Sequence, residues 1–164
     1  DNGQALEFDI KHRYKVLMEA IQETSSKVLV FVPFKHTIGI LSRRLTSDGI
    51  SNAVIQGDVP VNKRTEIFKA FQEQSDPRVL VVQPAAASHG VTLTAANTVV
   101  WWAPTSSLET YLQANARIHR AGQKNKCTVV QLHGAPVEQH VYRLLDDRID
   151  VHTKVIDLYK ELLD

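Results

Sequence analysis

The 164-residue sequence predicts a three-layer α/β domain with a mainly parallel sheet and a long C-terminal helical segment. Three observations carry this expectation. Five short apolar runs recur along the chain and segments of helical periodicity separate them, the alternation from which parallel sheets are built. The run at 27–32 is continuously β-branched and apolar, as in a strand covered on both faces. With 43% hydrophobic and 23% charged residues, the chain is the size of one globular domain with a full core.

Residues 9–23 place Tyr14, Leu17, Met18 and Ile21 at helical spacing, and Thr24-Ser25-Ser26 ends that helix. The strand at 27–32 follows, bounded by Pro33. Ile38, Leu41 and Leu45 mark a second helix that stops near Asp48-Gly49. A weaker strand at 51–55 leads into a Gln56-Gly57-Asp58 turn. Pro60 suits the first turn of a third helix, whose buried face is Ile67, Phe68 and Phe71. Strands at 78–82 and 98–102 bracket a loop of very small residues, 83–90, to which something must come close. Ser106-Ser107 offers a cap for a fourth helix, and 127–132 is the fifth strand. After Pro136, Val141, Leu144, Leu145, Ile149, Val155, Ile156, Tyr159 and Leu162 recur with a period near 3.6. A helix this long is expected to kink or divide.

Lys and Arg number 19 against 18 Asp and Glu, so the net charge of +1 predicts no nucleic-acid partner by itself; a local basic cluster would have to supply one. The single Cys127 excludes a disulfide framework and fits a reducing intracellular compartment. His89 and His119 have no metal-ligand spacing, so no metal site on the chain is expected. No apolar run has the length of a membrane span, so no membrane partner is expected, and the start at Asp1 reads as a piece of something longer.

In a parallel sheet the working loops lie at the carboxyl ends of the strands, so the loops at 33–36, 56–58, 83–90 and 102–107 should converge on one edge. One stretch is harder to read as scaffold: Gln113-Ala-Asn-Ala-Arg117-Ile-His-Arg120-Ala-Gly122-Gln123. As a helix it would set Gln113, Arg117 and Arg120 on one polar edge, opposite Leu108, Tyr111 and Ile118. Two planar guanidiniums suit an anion held in fixed orientation, a phosphate above all; an ordinary solvated edge with ion pairs is the other reading of the bare pattern.

The stretch resembles the sixth signature motif of superfamily 2 helicases, and its His-Arg-x-Gly-Gln ending is most similar to the Swi/Snf-type double-stranded DNA translocases. The resemblance covers nearly the whole chain and implies a second RecA-like lobe over 1–164, with 137–164 a C-terminal helical extension packing on it. Residues 27–35 resemble motif IV, and Gln56-Gly57-Asp58 with Arg64 resembles the block that follows. Residues 86–96 match motif V in register, with Ala87 and Ser88 where glycines are usual. A positive φ would strain Ala87 by about 1 kcal/mol, so a different local turn is expected there. Gly90 is the best-supported position of the loop.

The resemblance implies Arg120 and Arg117 as catalytic residues and Gln113 and Gly90 as nucleotide-binding ones. It implies Lys35, His36, Arg64, Gln83 and Thr94 as nucleic-acid contacts. The chain carries no G-x-x-x-x-G-K-[ST] phosphate loop and no strand-end Asp-Glu pair for Mg²⁺. In the family, ATP with Mg²⁺ is bound mainly by the first lobe, so this chain is expected to be inactive alone. The expected partners are DNA, as a duplex, and the first RecA-like lobe of the same protein; the expected setting is intracellular and DNA-associated. Two other readings stay open: an RNA or single-strand helicase lobe, against which Gln123 speaks because Arg is usual there, and a non-enzymatic RecA-like binding module. Trp101 and Trp102 could stack on bases, but are better explained as part of a buried strand.

Overall fold

The computed structural model describes residues 2–87 and 90–163, without the side chains of 2–9, 152, 155, 156, 159 and 163. Ser88 and His89, part of the motif V match, lie outside the described residues. The elements are α1 (Asn2–Glu23), β1 (Lys27–Phe31), α2 (Lys35–Ser47), β2 (Asn52–Ile55), α3 (Val61–Glu73), β3 (Val79–Val82), β4 (Ala96–Trp101), α4 (Leu108–Asn115), β5 (Thr128–Gln131) and α5 (Pro136–Leu163). All five strands pair in parallel in the order β2-β3-β1-β4-β5.

This order sorts the helices into two layers. From β1 the chain crosses outward to β2 through α2, then returns across the sheet through α3 and α4. Right-handed crossovers taken in opposite directions must lie on opposite faces. Leu17, Ile21, Ile38, Leu41 and Leu45 accordingly pack one face, while Phe68, Phe71, Tyr111, Ile118, Tyr142 and Leu145 pack the other. β1 serves both: Leu29 and Phe31 point to the α3/α4 side, Val28 and Val30 to the α1/α2 side, joined there by Val32 just past the strand.

Trp101 is fully buried. Its ring lies 4.8 Å from Phe31 and 4.9 Å from Tyr111, and its Nε1 donates to Asn115 Oδ1 at 2.8 Å. Trp102 is 4% exposed. Both tryptophans belong to the core and cannot stack on bases. α5 is seated through its first half: Tyr142 and Leu145 enter the core, and Glu138 receives a two-pronged ion pair from Arg13 of α1, which also donates to Trp102 O at 2.6 Å.

Two expectations need correcting. α5 is one uninterrupted helix of 28 residues, because after Pro136 it contains neither glycine nor proline to break it. The fourth helix stops at Asn115, so Arg117 and Arg120 do not lie on its surface. Residues 116–122 turn instead, ending at Gly122 with φ +96°. Gln123 holds the turn to the sheet, its Nε2 donating to Ala96 O at 2.8 Å and to Ile118 O at 2.9 Å.

Candidate arginine site

The turn after α4 brings Arg117 and Arg120 against the segment that follows the small-residue loop. Leu93 N donates to Arg117 O at 2.9 Å, which lashes the two segments together. Arg120 Nη1 then donates to Gly90 O at 2.8 Å and Thr92 Oγ1 at 3.3 Å, and its Nε to Ala116 O at 3.1 Å. A Cβ built on Gly90 would lie 3.9 Å from Arg117 Nη1, and Gly90 has φ +75°, a conformation that side chains disfavour. The preceding residues form a 3-10 turn, Pro84–Ala87, and no described non-glycine residue has positive φ. Ala87 is therefore accommodated by the different local turn that its side chain requires.

Arg117 is 4% exposed. Its Nε donates to Gln113 O at 2.8 Å, while its Nη1 is buried with no hydrogen-bond partner among the described residues. Burial and then the charge of Arg120 hold its pKa below the ordinary arginine value. Arginine stays charged at neutral pH even so. Among the described residues every acceptor of both guanidiniums is a neutral oxygen. Two cations thus sit side by side at a glycine, one of them desolvated, and among the described residues no carboxylate is bonded to either. An arrangement of this kind is costly for a scaffold and suited to a multiply charged anion. Arg120 also lines a cleft of about 960 Å³ that runs past Asn115, His119, Lys126 and Val129 to the outer edge of β5.

Gln113 is tied to this group through its main chain; its side-chain amide donates to Glu109 Oε1 at 3.2 Å, within α4. Arg117, Arg120 and Gly90 meet, with Gln113 one bond away. Thr92 was legible only as a member of the motif V string, and its contact with Arg120 comes from the tertiary fold.

A second group gathers at the carboxyl ends of β1, β2 and β3. Lys35, in the first turn of α2, pairs with Asp58 at 3.2 Å, both more than half exposed. Gly57 N donates to Gln83 Oε1 at 3.1 Å, and Arg64 donates through Nη2 to Gly57 O and through Nε to Val59 O, both at 2.9 Å. Lys35, Arg64 and Gln83 therefore converge on the 56–59 turn, and His36 is exposed beside them. Arg64 spends two of its nitrogens on its own backbone. The helices α2 and α3, preceded by Phe34 and Pro60, open here with no side-chain cap, so their first amides are free of that competitor. Thr94 stands apart, at the amino end of β4, where its Oγ1 accepts from Gln72 Nε2 at 2.9 Å and Gln72 Oε1 accepts from Ala95 N at 2.9 Å. Among the described residues no group of His, Cys, Asp or Glu could hold a metal ion, and no helix is long and apolar enough to cross a membrane.

A five-stranded parallel sheet in this order, with helices on both faces, has the RecA-like architecture. Comparison with known proteins agrees. The sequence profile of the helicase conserved C-terminal domain matches residues 12–122, and the chain belongs to that family. It is the C-terminal, RecA-like lobe of a Swi/Snf-type helicase-like protein. It is 28% identical over 136 residues to the ATP-dependent helicase fft2 of Schizosaccharomyces pombe, covering 82% of this chain and 11% of that protein. It is 29% identical over 150 residues to the SWI/SNF-related matrix-associated actin-dependent regulator of chromatin subfamily A containing DEAD/H box 1 homolog of Caenorhabditis elegans, covering 91% of this chain and 15% of that one. The crystal structure of the C-terminal part of the Fun30 ATPase domain superposes with a TM-score of 0.75 at 25% identity, over 84% of this chain and 44% of that chain. The chain thus spans a small fraction of the length of the curated relatives it matches.

Proposed function

We propose that this chain is the second motor lobe of an ATP-dependent translocase on double-stranded DNA, and that Arg120 is its arginine finger with Arg117 beside it. The observation that carries the proposal is the pair itself: two guanidiniums whose acceptors among the described residues are all neutral oxygens, with a buried Arg117 Nη1 that has no partner among them. A first lobe would supply the phosphate loop and the Mg²⁺ carboxylates, which this sequence lacks. ATP supplies the phosphoryl transfer whose energy the motor uses. On closure of the lobes Arg120 exchanges Gly90 O and Thr92 Oγ1 for phosphate oxygens, and its positive charge offsets the charge that develops during transfer, an effect of roughly 10³ to 10⁵ in rate in related NTPases. Because those protein oxygens belong to the end of the small-residue loop and the residues just after it, their release couples hydrolysis to movement of that segment. Gln113 keeps Arg117 in place through its main chain, and Gly90 lets the backbone come close.

The edge formed by Lys35, His36, Arg64 and Gln83 would track the DNA backbone, with the uncapped starts of α2 and α3 adding amide donors for phosphates. Thr94 would act from the far end of its segment by holding it to Gln72. Similarity to an ATP-dependent helicase and to a regulator of chromatin supports an intracellular protein that works on DNA. The test is ATP turnover and translocation by the two-lobe protein on duplex DNA, single-stranded DNA and RNA. Stimulation by duplex without strand separation is the expected result; stimulation by RNA or single strands alone would replace the duplex assignment.

A further inference from the structure

The outer face of α5 has a regularity that the motor does not use. Val137, Leu144, Val151 and Leu158 recur every seven residues and are 66%, 44%, 62% and 58% exposed. Four positions after each stand Val141, Arg148, Val155 and Leu162, of which Leu162 is 80% exposed. The side chain of Val155 lies outside the described residues, and its place in the series is read from the sequence. This is the 3-4 spacing of a coiled-coil seam, sustained for nearly four heptads with one polar interruption. The row that seats the helix on its own domain runs beside it, where Glu138 bonds Arg13 and Tyr142 and Leu145 are buried; of the seam residues Val141 also packs on that core, and Val137, Leu144, Val151, Leu158 and Leu162 are exposed. An apolar helix face of this length exposed to water signals a partner helix.

The charges beside the seam say which partner fits. One row flanks it: His140, Asp147, Lys154 and Glu161, again seven residues apart. In a parallel self-pair this row would face the row containing Glu138 and Leu145, which is already committed to the domain. In an antiparallel self-pair that sets Val141 against Leu158 and Arg148 against Val151 of a second copy, the row faces itself in reverse. Asp147 then meets Lys154 and His140 meets Glu161, each twice by symmetry. Asp147 and Lys154 are thus charge-complementary to their own reverse, and an imidazole faces a carboxylate in the outer pair.

We propose that the outer face of α5 is a self-association surface, on which the α5 of a second copy docks antiparallel. Arg148 at a seam position fixes the register, as single polar seam residues do. The site and its occupant are the same surface, so the assembly closes at two copies.

Sedimentation equilibrium of the 164-residue chain tests this, with Asp147→Lys, Lys154→Asp and the double variant, all at exposed positions. Each single variant puts like charges opposite one another twice and should weaken the dimer about tenfold or more. The double variant should regain it, and an equimolar mixture of the two single variants should associate as the parent does. Leu158→Glu, also exposed, should leave a folded monomer by circular dichroism. A parent chain that stays monomeric up to high micromolar concentration overturns the proposal and assigns the face to another segment or protein. A double variant no better than the singles overturns the antiparallel register. Neither outcome bears on the arginine site, which ATP turnover tests separately.

Discussion

Arg120 Nη1 donates to Gly90 O at 2.8 Å, so the arginine assigned to the sixth motif is held by the backbone of the fifth. A guanidinium parked on a carbonyl is easily exchanged onto an anion, because the neutral contact is weaker than a charge-assisted one.

In the complete two-lobe protein, Arg120→Ala should greatly lower DNA-stimulated ATP turnover with comparatively little change in ground-state ATP affinity, since the contact forms chiefly in the closed state. Arg120→Lys should also fail, because it keeps charge but loses the planar fork. Steady-state turnover on saturating duplex, with folding checked by thermal melting, gives the answer. An arginine serving only as an exposed surface partner would cost under about 1 kcal/mol and leave turnover near normal.

The isolated chain should hydrolyse no ATP above background, with or without DNA, because its sequence has neither phosphate loop nor metal carboxylates. Phosphate release from the highly purified chain is the measurement. Robust turnover would end the half-motor assignment.

Gly90→Ala places a side chain at φ +75° and adds a methyl 3.9 Å from Arg117 Nη1. The expected loss is about 1–2 kcal/mol of unfolding free energy, read from urea denaturation, with turnover falling in the two-lobe protein. An unchanged midpoint would mean that the loop does not need the conformation seen here.

Lys35→Ala should weaken non-specific duplex binding and reduce the slope of log K against log salt by about one, as loss of a phosphate contact does. Arg64→Ala should also lower the melting temperature, since Arg64 holds Gly57 O and Val59 O. Affinity measured across a salt series separates the two; a salt slope unaffected by Lys35→Ala would remove this edge from the DNA surface.

Glu138 gives a stability prediction with a definite pH window. Burial pushes its carboxyl upward, but the Arg13 hydrogen bond and the amides of Gly134 and Ala135 outweigh it, so its pKa is lowered from the ordinary 4.5. A lowered folded-state pKa means that the stabilisation is complete above about pH 4.5 and is lost as pH falls through the folded value. Glu138→Gln should therefore cost about 2 kcal/mol at neutral pH, and the gap to the parent should close in acid. Melting curves between neutral pH and pH 3 would show a constant gap if the pair were unimportant.

The apolar runs by themselves determined the α/β class and the five strands: β1, β3 and β4 are buried almost throughout and tolerate little but β-branched and apolar residues, while the edge strands β2 and β5 were marked by shorter apolar runs between helical segments. The resemblance of the 86–96 and 113–123 strings to the fifth and sixth helicase motifs singled out Gly90, Arg117 and Arg120, and the fold brings these three residues together. Continuing α4 through Arg120 was the natural extrapolation of its periodicity, and only the tertiary structure ended it at Asn115. The cause is non-local: Gln123 binds Ala96 O and Leu93 binds Arg117 O, contacts that a helix through 117–120 would not make. Those long-range bonds bury Arg117 instead of leaving it on a polar edge, and they deliver Arg120 to Gly90. They also separate Thr94 from the other candidates by carrying its segment to the amino end of the sheet, a path on which local sequence has no hold.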